Sequence, residues 1–377
     1  MSIDASLGGA DGLLIVGDSE RNHDLFWATR FRAPDPFIYV ATPDNAWVIV
    51  KDLELDRARE QVCGADVVAS SEYEKRLGDN PPPGGVLAEL LRDRGLRRLL
   101  VPDDFPVGTA DRLRATGFEL QVAQGPLFPA RAIKTPSEIE AISGAQVAAE
   151  AGMQTAVNTI ASAAIEGSHL VLDGVPLTSQ EVRRRILHTL LEHDCIAHHT
   201  IVAGGEQGID PHQSGHGPLR AHSLIIIDIF PQHIPSGYYG DITRTFVRGT
   251  ISSAMQQLYD AVAGAQTNAL EQIRAGVDGQ SVHAGVSAQF EAAGYETGAR
   301  DGRMQGFFHG TGHGVGLEIH ESPSLSRRTS MLEVNHVVTV EPGLYYAGLG
   351  GVRVEDLVVI EAEGCRNLTT FPKELGL

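Results

Sequence analysis

Four acidic residues, set in two stretches of this sequence, have the types and spacing to hold metal ions. In "LIIIDIFPQHIPSGYYGDITRTF", residues 224–246, four aliphatic residues run straight into Asp228, and Asp241 opens a second β-rich segment thirteen residues later. In "HVVTVEPGLYYAGLGGVRVEDLVVIE", residues 336–361, Glu341 and Glu355 lie on either side of a turn at "AGLGG" (347–351). Read as antiparallel hairpins, the first opposes Asp228 to Asp241 and the second opposes Glu341 to Glu355. Like charges directly opposite in a sheet repel, and partly buried carboxylates are costly to ionise. Val340, Val352, Val354 and Leu357 say that these positions are not freely solvated. One such pair could share a proton, or be neutralised by Arg353 or Arg244. Two pairs at strand ends are better explained by a cation.

A nitrogen ligand is at hand in "HGTGHGVGLEIHE", which carries His309, His313 and His320 among glycines that permit close backbone approach. The segment does not fit the GxGxxG dinucleotide fingerprint, because Val315 or Leu317 falls where the third glycine belongs. Two Asp, two Glu and one His form a hard, oxygen-rich set without thiolate. Such a set suits Mn²⁺, Co²⁺, Fe²⁺ or Zn²⁺ in a catalytic role over a structural zinc. Four carboxylates are too many for one catalytic ion that keeps an open position; they suit two ions roughly 3.5–4 Å apart, and hence metal-assisted hydrolysis.

The elements that must position these residues are legible as pattern. Up to about residue 122, short apolar runs (Leu13–Val16, Phe37–Val40, Trp47–Val50, Leu99–Val101) alternate with helical stretches (Asp52–Gln61, Leu87–Arg94, Ala110–Gly117), as in an α/β unit. "GDNPPPGG" (78–85) reads as a loop. The prolines of "QGPLFPARAIKTPSEIEAI" suggest a linker, and Thr135, Pro136 and Glu138 form a capping box opening a long helix from 136 to about 160. Further helices are expected at 179–193, about 252–274 and about 279–294. Helices alternating with hairpins, not with single parallel strands, argue for an α+β unit with an antiparallel sheet. The expected division is 1–127 for a small α/β domain and 128–377 for the second.

Composition narrows the classes of function. The chain has 377 residues, enough for two cores. Hydrophobic content of 42% and a mean hydropathy of −0.08 indicate a soluble globular protein. The net charge of −18 disfavours nucleic acid and anionic membrane as partners. No signal peptide or eighteen-residue apolar run is evident, and three scattered cysteines argue against a disulfide framework, so a cytoplasmic location is expected. Fourteen of fifteen histidines lie beyond residue 150, which places any chemistry in the second unit.

At these residues the sequence resembles the pita-bread metallopeptidases, the group of methionine aminopeptidase, aminopeptidase P and prolidase. The resemblance rests on "GDITRTF" with the preceding Asp228, "HGTGHGVGLEIHE", "TVEPGLY" and "GVRVED", and it spans roughly residues 130–377. It implies a catalytic domain of antiparallel sheet with flanking helices and pseudo-two-fold symmetry. It also implies that Asp228 chelates one divalent ion, that His313 and Glu341 hold a second, and that Asp241 and Glu355 bridge them, with Mn²⁺ foremost among the metals. Glu341 would shuttle the proton of the nucleophile. His212, in "IVAGGEQGIDPH", together with His309 and His320, would line the site and polarise the scissile carbonyl. Arg353 and Tyr345 match pocket and supporting positions.

One departure concerns the turn after Asp228, which is about two residues longer than the family's usual form. Strand side chains alternate with period two, so an extension of two preserves the facing of both carboxylates. The shape of the rim near Gln232–Gly237 is then the open point.

"HDLFWATRF" and "PFIYV" resemble the small domain that precedes the catalytic domain in aminopeptidase P, prolidase and creatinase. Methionine aminopeptidases generally lack it, and creatinase lacks the metal ligands, which leaves cleavage of Xaa-Pro bonds in short proline-containing peptides. In that group the small domain closes the pocket, often from a dimer partner, so a homodimer is expected. Asp24 could then meet the substrate's free amine, and Arg327 or Arg328 could clamp a dipeptide's carboxylate. The compact first domain leans the reading towards a prolidase-like dipeptidase. The alternatives are an aminopeptidase P acting on longer peptides and a non-catalytic peptide- or protein-binding relative.

Overall fold

The computed structural model describes residues 7–78, 82 and 84–377, and divides them into two compact units, one up to Arg131 and one from Ala132 to Leu377. The boundary lies within the proline-bearing segment, four residues beyond the expected 127. Half of the 78–85 stretch, expected as a loop, lies outside the described residues.

The first unit is built on a six-stranded mixed sheet. Gly12–Gly17, Phe37–Ala41 and Ala46–Val50 form an antiparallel meander, and Asp66–Ala69, Arg98–Val101 and Glu119–Val122 join in parallel. Leu13 and Ile15 face one apolar layer and Leu14 the other, so helices cover both faces of the central strand. Pattern reading missed the Asp66–Ala69 strand and the His23–Thr29 and Ser70–Leu77 helices, which are all four to eight residues long.

In the second unit, two hairpins each back onto a pair of helices. Leu224–Ile229 pairs with Ile242–Val247 and with Ile201–Gly204. Ile225, Ile227, Ile229, Ile242 and Phe246 pack against Ala149, Met153 and Ile160 of the Pro136–Ala161 helix and against Val182, Ile186 and Leu190 of the Ser179–Glu192 helix. In the other half, Val337–Val340 pairs with Asp356–Glu361. Val338, Val340, Val358 and Ile360 there meet Leu258, Val262, Val286 and Phe290 from the Ser253–Gln272 and Gly279–Ala292 helices. The capping box forms as expected: the Thr135 hydroxyl accepts from the Glu138 N–H, and the Glu138 carboxylate accepts from the Thr135 N–H.

Period-two alternation turns the intervening residues away from the helices. Asp228, Asp241, Thr243 and Thr245 lie on the opposite face of the first hairpin, and Thr339, Glu341, Arg353 and Glu355 do so in the second. Hydrogen bonds to backbone carbonyls help to lock the hairpins together on that face. The Glu355 N–H donates to the Thr243 carbonyl at 3.1 Å, and the Thr245 hydroxyl donates to the Arg353 carbonyl at 2.9 Å.

The first hairpin corrects the expected register by two residues. Asp228 opposes Thr243, not Asp241, and the ladder ends at Ile229 opposite Ile242. Asp241 stands just beyond the last pair. The long turn folds back: Gln232–His233 pairs with Cys195–Ile196, Gln232 bridges to Tyr239, and the Ile234 N–H donates to the Asp194 carbonyl. A shift of two keeps both carboxylates on one face. The second hairpin follows its expected register on both sides of Glu341 and Glu355, since Val340 opposes Asp356 and Gly343 opposes Arg353.

Candidate metal centre

The inner face where the hairpins meet is acidic and almost dry. Asp228, Asp241 and Glu355 are buried at 8%, 4% and 2% exposure. One donor atom each from Asp241, His313 and Glu355 lies within 4.8 Å of the other two. Glu341 joins them through His313, whose Nε2 is 3.2 Å from Glu341 Oε1 and 3.8 Å from Asp241 Oδ2. Asp228 is tied in from the other side: Arg353 Nη2 donates to its Oδ2 at 2.6 Å. Its Oδ1 is buried with no hydrogen-bond partner.

Local chemistry fixes each side chain. His313 sits on the short strand Gly312–Gly314, threaded between Glu321–Leu325 and Val337–Val340. A Cβ at Gly312 would lie 1.9 Å from the Thr339 carbonyl oxygen, so only glycine lets this strand come so close. The Thr339 hydroxyl accepts from the His313 N–H at 3.1 Å and donates to Glu341 Oε1 at 3.2 Å. The Thr243 hydroxyl donates to Glu355 Oε2 at 2.8 Å and accepts from Arg353 Nε at 3.2 Å. Neither threonine was singled out from sequence. The signal was present, because each lies two residues from an acidic residue on the same face of the same strand. Gln146, which accepts from the Asp241 N–H, was also missed, and an isolated glutamine in a helix carries no such signal.

The electrostatics separate the carboxylates. Burial, reinforced by Glu355, Asp228 and Glu341, holds Asp241 well above the usual carboxylate range. Burial raises Glu355 likewise, with Glu341 and Asp228 adding to it. Asp228 is raised by burial against the opposing pull of Arg353. Burial also acts on Glu341, but the hydrogen bond and charge of His313, with His309 and Arg353, outweigh it and bring Glu341 to about 2. Without cations, three carboxylates thus crowd in low dielectric with one guanidinium between them. The orphaned Asp228 oxygen, the crowding and the hard donor set all fit divalent ions at this place.

The histidines divide. His320 is exposed and stacks edge-on against His313, with ring centroids 4.2 Å apart. Burial and the neighbouring His313 lower its pKa, with His212 contributing, so His212 lies within electrostatic reach of His320. His309 is different, because both its ring nitrogens are used. Nδ1 is 2.8 Å from the Gly310 carbonyl and Nε2 is 2.9 Å from the Tyr345 hydroxyl, which itself accepts from Arg353. Both contacts suit a neutral ring with hydrogen on Nδ1, and burial, against the opposing pull of Glu341, holds His309 down at about 4. The His309 ring thus braces Tyr345, a contact that its place in the motif does not reveal. Arg327 is exposed in the segment after the Glu321–Leu325 strand. Asp24 belongs to the first unit, where Arg131 pairs with it at 2.5 Å. Its carboxylate already has a cation.

Comparison with known proteins identifies the class. Residues 140–362 match Metallopeptidase family M24, and the chain belongs to that family. It is 40% identical over 177 residues to Uncharacterized peptidase YqhT of Bacillus subtilis (strain 168), covering 46% of this chain and 47% of that protein. It is 31% identical over 249 residues to the Xaa-Pro dipeptidase of Pyrococcus furiosus, covering 65% of each. These alignments thus span about half of the first relative and just under two thirds of the second. Among solved structures, the Xaa-Pro dipeptidase from Bacillus anthracis superposes with a TM-score of 0.82 at 26% identity, over 98% of this chain and 96% of that one. The fold is the α+β pita-bread architecture, and the protein is a metallopeptidase.

Proposed function

We propose that this protein hydrolyses Xaa-Pro peptide bonds with two divalent ions, as an Xaa-Pro dipeptidase. The observation that carries the reading is the convergence of Asp228, Asp241, His313, Glu341 and Glu355 on one buried face. The B. anthracis and P. furiosus relatives supply the substrate class. Asp228 would chelate one ion, His313 and Glu341 the other, and Asp241 and Glu355 would bridge; manganese is the metal we expect. When bound, such ions supply Lewis acidity and a water of lowered pKa.

The chain's own residues do the rest. Glu341 would accept a proton from the attacking water and deliver it to the prolyl nitrogen as the C–N bond breaks. His320, with its ring at the edge of the site, supplies an N–H to the oxygen on which charge develops, and His212 lines the same side. Arg353 holds Asp228 and, through Tyr345 and His309, stiffens the floor. We also expect a homodimer in the cytoplasm; sedimentation and cell fractionation check those two points.

The test is turnover of Ala-Pro against Ala-Pro-Ala with added Mn²⁺. Dipeptide cleavage that a chelator abolishes and Mn²⁺ restores is expected, as is a loss of at least about a hundredfold in Glu341→Gln, since general acid–base groups typically contribute that much. Cleavage of tripeptides alone would reassign the chain as an aminopeptidase, and metal-independent cleavage would overturn the reading.

A further inference from the structure

One buried polar side chain on the helical layer reaches the centre without being a ligand to it. Gln146 lies on the Pro136–Ala161 helix, 1% exposed among Ala145, Ala148 and Ala149. Its Oε1 accepts from the Asp241 N–H at 2.7 Å. Its Nε2 donates to the Thr369 hydroxyl at 3.0 Å, and that hydroxyl accepts from the Leu357 N–H at 2.9 Å. One amide therefore links the backbone that carries Asp241 to the strand that starts directly after Glu355. These are the two carboxylates that come from different hairpins and must meet.

A second observation points the same way. Gly240, just before Asp241, lies hard against the helix: a Cβ there would be 2.6 Å from both Ala145 C and Gln146 N. Asp241 falls between the last ladder pair, Ile229 opposite Ile242, and the Gly240 N–H that donates to the Pro231 carbonyl, and its own N–H goes to the helix, not to the opposing strand. The helix thus takes the one backbone donor of Asp241 that the hairpin leaves over.

We propose that Gln146 is a positioning residue of the metal centre, holding Asp241 and Glu355 at the mutual distance that divalent ions require. The inference rests on the two-ion reading above. Gln146→Met keeps the side-chain length and packing but can neither accept from Asp241 nor donate to Thr369. Thr369→Val cuts the second half of the link while leaving the first, and Thr369→Ser restores it.

The experiment is calorimetric titration of chelator-stripped full-length protein with Mn²⁺, alongside thermal melts without metal. Gln146→Met is expected to weaken Mn²⁺ binding by roughly tenfold to a hundredfold, the usual size for groups that orient ligands. Thr369→Val should weaken it less, and Thr369→Ser should bind like the unaltered chain. Mn²⁺ affinity within twofold of the unaltered chain in Gln146→Met, whatever its melting temperature, would overturn the proposal. If Gln146→Met does not fold, equal affinities for Thr369→Val and Thr369→Ser would overturn it instead. Failure of the unaltered chain to bind Mn²⁺ would sink the two-ion reading itself, and this inference with it.

Discussion

At the scale of single residues, the site is a problem in charge that its neighbours only half solve. Arg353 is bonded to a carboxylate of the buried cluster, and it serves Asp228, Tyr345 and Thr243 at once. Removing one partner of such a pair leaves an uncompensated charge, which costs ~3–5 kcal/mol. Arg353→Met is therefore expected to lower unfolding stability by about that amount in metal-free protein, as read by urea denaturation. An unchanged midpoint would mean that Asp228 is not held by this contact. His336 offers a cleaner titration, since it lies outside the ligand set. It is buried, its Nδ1 accepts from the Glu333 N–H at 3.0 Å, and burial, with the Lys134 charge, pulls it down to about 4. A depressed histidine binds fewer protons folded than unfolded, so its contribution is complete above about 6.5, its model-peptide value, and fades as pH falls towards 4. His336→Asn should flatten the stability–pH slope in that window. Comparing the two chains at each pH cancels the opposite slope of the raised carboxylates, and an unaltered slope would show that His336 titrates normally.

At the scale of elements, two hairpins with alternating faces do most of the work, and alternation is what a sequence displays. Asp228, Asp241, Glu341 and Glu355 could be placed on common faces from period two alone, and the second hairpin kept its register. The first slipped by two, and its turn pairs with Cys195–Ile196, a contact 36 to 38 residues back in the chain that no local pattern encodes. The long helix from Pro136 was legible from its cap, whereas short elements of the first unit were not legible, since one or two turns show no reliable period. His309 illustrates a different limit. Its motif resemblance indicated a site histidine, but only coordinates show Gly310 and Tyr345 taking both ring nitrogens. The glycines around His313 read as permissive, and the structure gives the reason at Gly312. Its backbone is packed on that of Thr339, with no flexible side chain to yield. Gly312→Ala should thus cost ~3 kcal/mol, the upper end for overpacking, and should weaken metal binding through His313. A thermal melt together with a Mn²⁺ titration checks both, and a neutral outcome would show that the two strands separate easily.

At the scale of the molecule, the chain concentrates acidity where it is useful. Its net charge is −18, and among the described residues no helix is long and apolar enough to cross a membrane. The second unit is closed by its own charge pairs away from the centre: Arg244 and Asp356 meet at 2.9 Å on the helix-facing side of the same strands, and Lys373 reaches Asp356 at 2.6 Å. The frame can therefore form before ions arrive, while the repulsion inside it awaits them. Ligands that bind only the folded state stabilise it by mass action, ~2.7 kcal/mol at a hundredfold excess over Kd. The most direct measurement is the number of Mn²⁺ ions bound per chain by chelator-stripped protein, followed by calorimetry and by the rise in melting temperature. Two ions are predicted for the unaltered chain, with impaired binding in Asp241→Asn and Glu355→Gln. Full occupancy in both variants, or no binding by the unaltered chain, would contradict the account.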